Sequence, residues 1–207
     1  MLIKRTIAWL TAATLSFAAA GVQAQAKAPD ALIKGVSTDV LDAVKADKSI
    51  KSGDINKIIV LVDQKVLPYV NFQRMTSSAV GRYWKQATPD QQTRLQNEFK
   101  LLLVRTYSGA LSQVSSEQTV ELKPMRSAPT DPEVVVRTEI RGKGDPIQLD
   151  YRLEKAGDSW KIYDVNVLGV WLVENYRNSF AQEIGANGID GLIAKLAERN
   201  KSAGAKS

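Results

Sequence analysis

The 207-residue sequence contains no cysteine and no histidine. The first absence excludes a disulfide framework, a thiolate nucleophile and any Cys/His zinc site. The second removes the side chain that titrates nearest neutrality, and with it Ser-His-Asp and Cys-His catalysis. Long apolar runs are missing too: beyond residue 20 none exceeds about five residues, as at 58–62. What is present is ordinary for a globular chain, 44% hydrophobic and 24% charged, so disorder is excluded as the main state. The length fits one domain, or one domain with an appended layer.

The first residues read as an export signal. Lys4 and Arg5 precede an uncharged stretch, 6–20, rich in Ala, Leu and Ile. Ala24-Gln25-Ala26 then places small residues, Ala24 and Ala26, at the cleavage positions. The stretch is short for a bilayer span, which needs about 20 residues. The expected organisation is a signal peptide over 1–26, one α+β domain over 27–200 and a polar, disordered tail over 201–207. Cleavage removes Lys4 and Arg5 and lowers the net charge from +6 to +4 (26 basic against 22 acidic residues). The basic residues are dispersed, with no run that reads as a nucleic-acid footprint. An exported chain without cysteine fits a bacterial periplasm.

Hydrophobic spacing divides the rest. Residues 29–47 show helical periodicity through Leu32, Val36, Val40, Leu41 and Val44. Asp54 is a good N-cap for a second helix reaching about residue 70, disturbed near Pro68. Asn71 can cap a short third helix carrying Phe72, Met75, Val80 and Trp84. Thr88, Pro89 and Gln91 form a capping-box start for a long helix to about residue 114. From residue 119 the period drops to two. Four strands are expected, at 119–125, 133–141, 147–155 and 159–167, separated by Gly- and Pro-containing turns. Two helices, 170–184 and 189–199, close the chain. This order predicts an α+β fold, a four-stranded antiparallel sheet with helices packed on one face.

No phosphate loop or calcium loop is present. Gly142-Lys143-Gly144 is a hairpin turn, and Asp145 and Asp150 lack calcium-loop spacing. Asp150 and Glu154 read as part of a solvated sheet face. Asp164 falls in phase with Trp160 and Ile162, on the apolar side. A carboxylate there needs a partner, and Arg177 is the candidate for a structural ion pair. Several helices carry apolar residues beyond one face, a pattern that suits a cavity lining and a packed core alike.

Four stretches carry a resemblance. They are Tyr69-Val70-Asn71-Phe72 with Arg74 and Met75; Val80-Gly81-Arg82-Tyr83-Trp84 running on to Thr88-Pro89-Asp90-Gln91; Phe99 to Tyr107; and Asp164-Val165-Asn166-Val167 through Trp171 and Tyr176 to Phe180, trailed by Gly188 to Leu192. Together, and in this order, they resemble the MlaC family, periplasmic phospholipid-binding components of a lipid-transport system. Two positions depart from the family pattern, which has an acidic residue where Leu168 stands and a serine where Trp171 stands.

The resemblance implies a lipid shuttle. Such proteins hold phospholipid tails in an apolar cavity between sheet and helices. Their partners are an outer-membrane lipoprotein–porin complex and an inner-membrane ABC transporter. No catalytic residue, cofactor or metal is called for. A diacyl lipid has about 30 methylenes at about 0.8 kcal/mol each, so leaving a bilayer for water costs on the order of 20 kcal/mol. A carrier must replace that contact with a dry cavity. On this basis the tails are expected against Phe72, Met75, Phe99, Leu103 and Tyr107 of the helices. On the sheet they are expected against Val134, Val136, Ile140, Leu149, Tyr151 and Ile162, and on the closing helix against Leu172 and Tyr176. Arg74, Arg82 and Arg105 are candidates for headgroup or partner contact. Two other readings fit the residues. One is a periplasmic adaptor or chaperone that binds protein alone. The other is an isomerase on a cone-shaped α+β fold, using Asp164 with Tyr151 or Tyr163 as an acid/base pair.

Overall fold

The computed structural model describes residues 28–128 and 130–204, so the expected signal peptide lies outside the described residues. Helix α1 (Pro29–Ala46) starts on a proline, whose missing N–H is no loss at a first helical position. It buries Leu32, Ile33, Val36, Leu41 and Val44. Asp47 ends α1 and caps the single turn α2 (Lys48–Lys51), accepting from the Ser49 and Ile50 amides at 2.8 and 3.4 Å. Asp54 caps α3 (Ile55–Lys65) through the Asn56 and Lys57 amides.

The second helix stops well before the expected residue 70. Pro68 cannot continue it, and the chain tightens into a 3-10 turn, Leu67–Tyr69. Residues 66–71 then run along the sheet. Val70 forms a parallel bridge with Ile162, and the Asn71 amide donates to the Ile162 carbonyl at 2.8 Å. Asn71 caps α4 (Phe72–Val80). Gly81, at a φ of +65, ends that helix before Trp84, and a 3-10 stretch, Gly81–Gln86, follows. The expected capping box opens α5 (Pro89–Ser112), with both Thr88–Gln91 hydrogen bonds in place.

The sheet has five antiparallel strands rather than the expected four. They are β1 (Thr119–Leu122), β2 (Glu133–Arg141), β3 (Ile147–Ala156), β4 (Ser159–Val167) and β5 (Val170–Trp171), in sequential order. The extra strand comes from a two-residue hairpin turn. Leu168 and Gly169 both have positive φ, 51 and 91, and Val167 pairs with Val170 across them. That geometry matches the twist of adjacent strands.

The two expected closing helices are present as one span, α6 (Leu172–Gly204), interrupted by a kink at Gly188. The φ of 72 and ψ of −178 there are essentially reserved for glycine. The helix also continues through residues 201–204, where a disordered tail was expected.

The register along β4 shifts by one. Arg152 pairs with Asp164, but its neighbour Leu153 pairs with Ile162, so Tyr163 is an extra residue. A bulge of this kind changes the face a strand presents from that point on. Ile162 therefore faces the helices alongside Leu153, and Val165, paired with Tyr151, faces them too. Asp164 instead turns to the outer face with Arg152. This corrects the expectation that Asp164 shares a face with Trp160 and Ile162.

The helices cover the other face and build a core in three parts. An aromatic cluster joins α4, α5 and α6, with Phe99 at its centre, 5.1 Å from the Tyr176 ring and 5.2 Å from the Phe180 ring. A second part links α1, α2, α3 and α5 to Ile140. A third packs Leu32 and Ile33 against Val134, Val136, Leu153, Trp160 and Ile162.

A Cβ on Gly188 would meet no atom within 4 Å. Gly188→Ala thus tests backbone strain alone, and it should lower stability by about 1–3 kcal/mol. A urea-unfolding midpoint that does not move would contradict the role assigned to this glycine.

Candidate functional site

Two apolar cavities lie between the helices and the sheet. The first, about 250 Å³, is walled by α3, α4 and α5, by residues 66–70, and by Val165 and Val167 of β4. The second, about 240 Å³, lies between α1, the end of α5 and the inner face of β2, β3 and β4. Val66, Val70, Leu111 and Val165 border both, so they form one partition between two adjoining lobes. Val165 reaches this partition only because of the bulge at Tyr163.

Of the residues expected to line a cavity, Phe72, Met75, Leu103, Tyr107 and Leu172 line the first lobe. Ile140, Leu149, Tyr151 and Ile162 line the second. Four do not reach either wall. Phe99 and Tyr176 are consumed in the aromatic cluster, and Val134 and Val136 pack under α1. Sequence reasoning missed the partition and the contribution of α1. Val66 and Val70 were assigned to a helix interior, whereas they belong to a segment laid along the sheet edge.

The polar groups at the walls are few. Burial pushes the Tyr107 and Tyr151 phenols up from their ordinary pKa, so both stay neutral at physiological pH. Tyr151 lies 3.5 Å from the Ser37 hydroxyl. No group of three or more Asp or Glu side chains could hold a metal among the described residues.

The three candidate arginines lie off the cavity walls. Arg74 reaches the outer sheet face, where it pairs with Glu133 at 2.6 Å and with Glu154. Its guanidinium sits 3.6 Å above the Tyr163 ring. It is thus a tether between α4 and the sheet. Arg82 is exposed and donates to the Tyr83 hydroxyl at 3.0 Å. Arg105 follows Val104 on α5, about 100° further round the helix, and lines neither lobe. Its Nε and one terminal nitrogen are buried without a hydrogen-bond partner.

The profile of the family described as MlaC protein matches residues 34–198. The chain belongs to the MlaC family. It is 26% identical over 186 residues to the toluene tolerance protein ttg2D of Pseudomonas putida, covering 86% of each chain. It is 25% identical over 198 residues to the intermembrane phospholipid transport system binding protein MlaC of Haemophilus influenzae, covering 94% of this chain and 92% of that one. Among solved structures it is similar to the phospholipid-binding protein of Ralstonia solanacearum, determined in complex with a phospholipid. The TM-score is 0.81 and the identity 46%, over 84% of this chain and 98% of that one.

The corner where this sequence departs from the MlaC pattern has a clear structure. Asp164 is buried, and its partner is Arg152 at 3.1 Å, not Arg177 as expected. Arg177 turns away and donates to the Ser78 carbonyl at 3.1 Å. Asp164 also accepts from the Val165 and Val173 amides, so it caps the start of α6 from a different strand. Trp171, one of the two departures, stacks on the Arg152 guanidinium at 3.9 Å. Leu168, the other, is exposed at the hairpin tip. Burial pushes the Asp164 carboxyl up, while the Val173 amide and Arg152 pull it back. Of the two phenols considered with Asp164, Tyr151 lies on the opposite face and the Tyr163 hydroxyl donates to Glu133 at 2.8 Å.

Two outcomes follow from this outer face. Asp164→Ala leaves the Val165 and Val173 amides without their acceptor, while Arg152 keeps Glu174 at 3.2 Å, and should cost about 2 kcal/mol in urea unfolding. An unchanged midpoint would refute the capping role. The second concerns Tyr163, which donates to Glu133 at 2.8 Å and whose pKa is pushed up to about 12, first by burial and then by Glu133. An unfolded tyrosine ionises near pH ~10. Between those values the unfolded chain loses its proton first, so this contribution is whole below pH ~10 and is lost as pH rises toward the folded value. Tyr163→Phe should therefore flatten the alkaline decline in stability over that window. An identical decline would show that another group causes it.

Proposed function

We propose that the chain is a phospholipid carrier that holds acyl tails in the two-lobed cavity, with the headgroup at the surface. Its place of action on this reading is the periplasm, after export and cleavage of the signal peptide. It exchanges lipid with an outer-membrane lipoprotein–porin complex and an inner-membrane ABC transporter. It performs no chemistry on its cargo. The observation that carries the reading is the pair of adjoining apolar lobes, enclosed by a fold 46% identical in sequence to a protein solved with a phospholipid. Phe72, Met75, Leu103, Tyr107, Leu172, Ile140, Leu149, Tyr151 and Ile162 are the proposed tail contacts. No helix among the described residues is long and apolar enough to cross a membrane.

The direct test is to purify the protein from its native compartment, extract it with organic solvent and identify lipid by mass spectrometry. Phospholipid in the extract is expected, and an empty extract would count heavily against a carrier. Leu149→Arg places a cation on the wall of the second lobe and should sharply lower the co-purified lipid. An unchanged yield would sink the assignment of that strand to the tails.

A further inference from the structure

Among the described residues that line the two lobes, Lys100 alone is charged. It lies on α5 in line with Leu103, Tyr107 and Leu111, one continuous helical stripe on the cavity wall. Its aliphatic stem belongs to that wall, while its ammonium reaches Asp63 of α3 at 2.9 Å. The Asp63 side chain is 41% exposed, so this end of the first lobe meets solvent. Among the described residues neither side chain has another ionic partner. The pair thus links the two helices that flank the lobe, at the point where wall gives way to water.

Resting on the carrier reading, we propose that Lys100 is the phosphate-recognition residue of the lobe, and that a lipid phosphodiester takes the place of Asp63 on its ammonium. The exchange is easy on physical grounds. A half-exposed ion pair is a weak bond. A phosphate whose tails already fill the cavity is presented at high effective concentration. In the empty protein Asp63 neutralises the ammonium and ties α3 to α5. In the loaded protein the phosphate neutralises it and the tie is released.

The experiment compares loading from vesicles of palmitoyl-oleoyl phosphatidylglycerol with loading of the diacylglycerol of the same chains, read by native mass spectrometry. Lys100→Gln keeps the first two methylenes and most of the length of the side chain and removes the charge. It should lower phosphatidylglycerol loading roughly tenfold and leave diacylglycerol loading unchanged. Asp63→Asn removes the competing anion and should raise phosphatidylglycerol loading roughly two- to fivefold. A thermal melt of each variant establishes that the fold is intact. Equal loading by Lys100→Gln and the unaltered protein overturns the proposal, and so does a loss shared by both lipids. Inorganic phosphate that abolishes the difference would assign the site to free phosphate and overturn it as well. An unaltered protein that takes up neither lipid would defeat the carrier reading itself, an outcome distinct from these.

Discussion

The cavity depends on one extra residue in one strand. Without the bulge at Tyr163, the side-chain alternation of β4 would send Val165 and Val167 to the outer face once Ile162 faces the helices. The inner wall would then carry Asp164 and Asn166 in their place. With the bulge, apolar residues line β4 from Trp160 to Val167. The displaced carboxylate of Asp164 is not wasted on the outer face. It meets Arg152 and the Val173 amide at the start of α6, so the same irregularity shapes the wall and anchors the helix that closes the fold.

A cavity is apolar surface that does not pack against itself, and the stability must come from elsewhere. No disulfide can help in a chain without cysteine. The aromatic cluster around Phe99 is filled, and α1 is sealed onto Val134, Val136 and Trp160. These closed regions flank the lobes. The outer face adds polar ties, with Arg74 joining α4 to Glu133 and Glu154 and Lys123 joining Glu139. The interior is thus divided between residues that stabilise the fold and residues left available to a ligand. Phe99 and Tyr176 illustrate why sequence periodicity cannot separate the two, since both sit on the same stripes as true wall residues.

The sequence made much of the architecture legible. Helix starts were readable because Asp54, Asn71 and the Thr88–Gln91 box carry their own hydrogen-bonding logic. The three long hairpin strands were readable from alternation and turn chemistry. Other features left no such mark. The β5 strand is only two residues, and its turn places Leu168 where Asn or Gly is usual. The bulge cannot be seen in a pattern, because a one-residue slip looks like continued alternation of the wrong phase. That slip is also why Asp164 was matched with Arg177 rather than Arg152. Only charge marks Arg74, Arg82 and Arg105 in the sequence, and charge does not say which face of a helix a side chain leaves from.

Residues 66–71 fill the place of a strand along β4. They hold it through the Val70–Ile162 bridge, the Asn71 amide and the Lys161 ammonium on the Pro68 carbonyl. The same segment supplies Val66 and Val70 to the partition. Lifting it would merge the two lobes and at the same moment bare the hydrogen-bonding edge of β4, a surface on which foreign strands readily add. Access to the interior and the risk of self-association are thereby coupled through six residues.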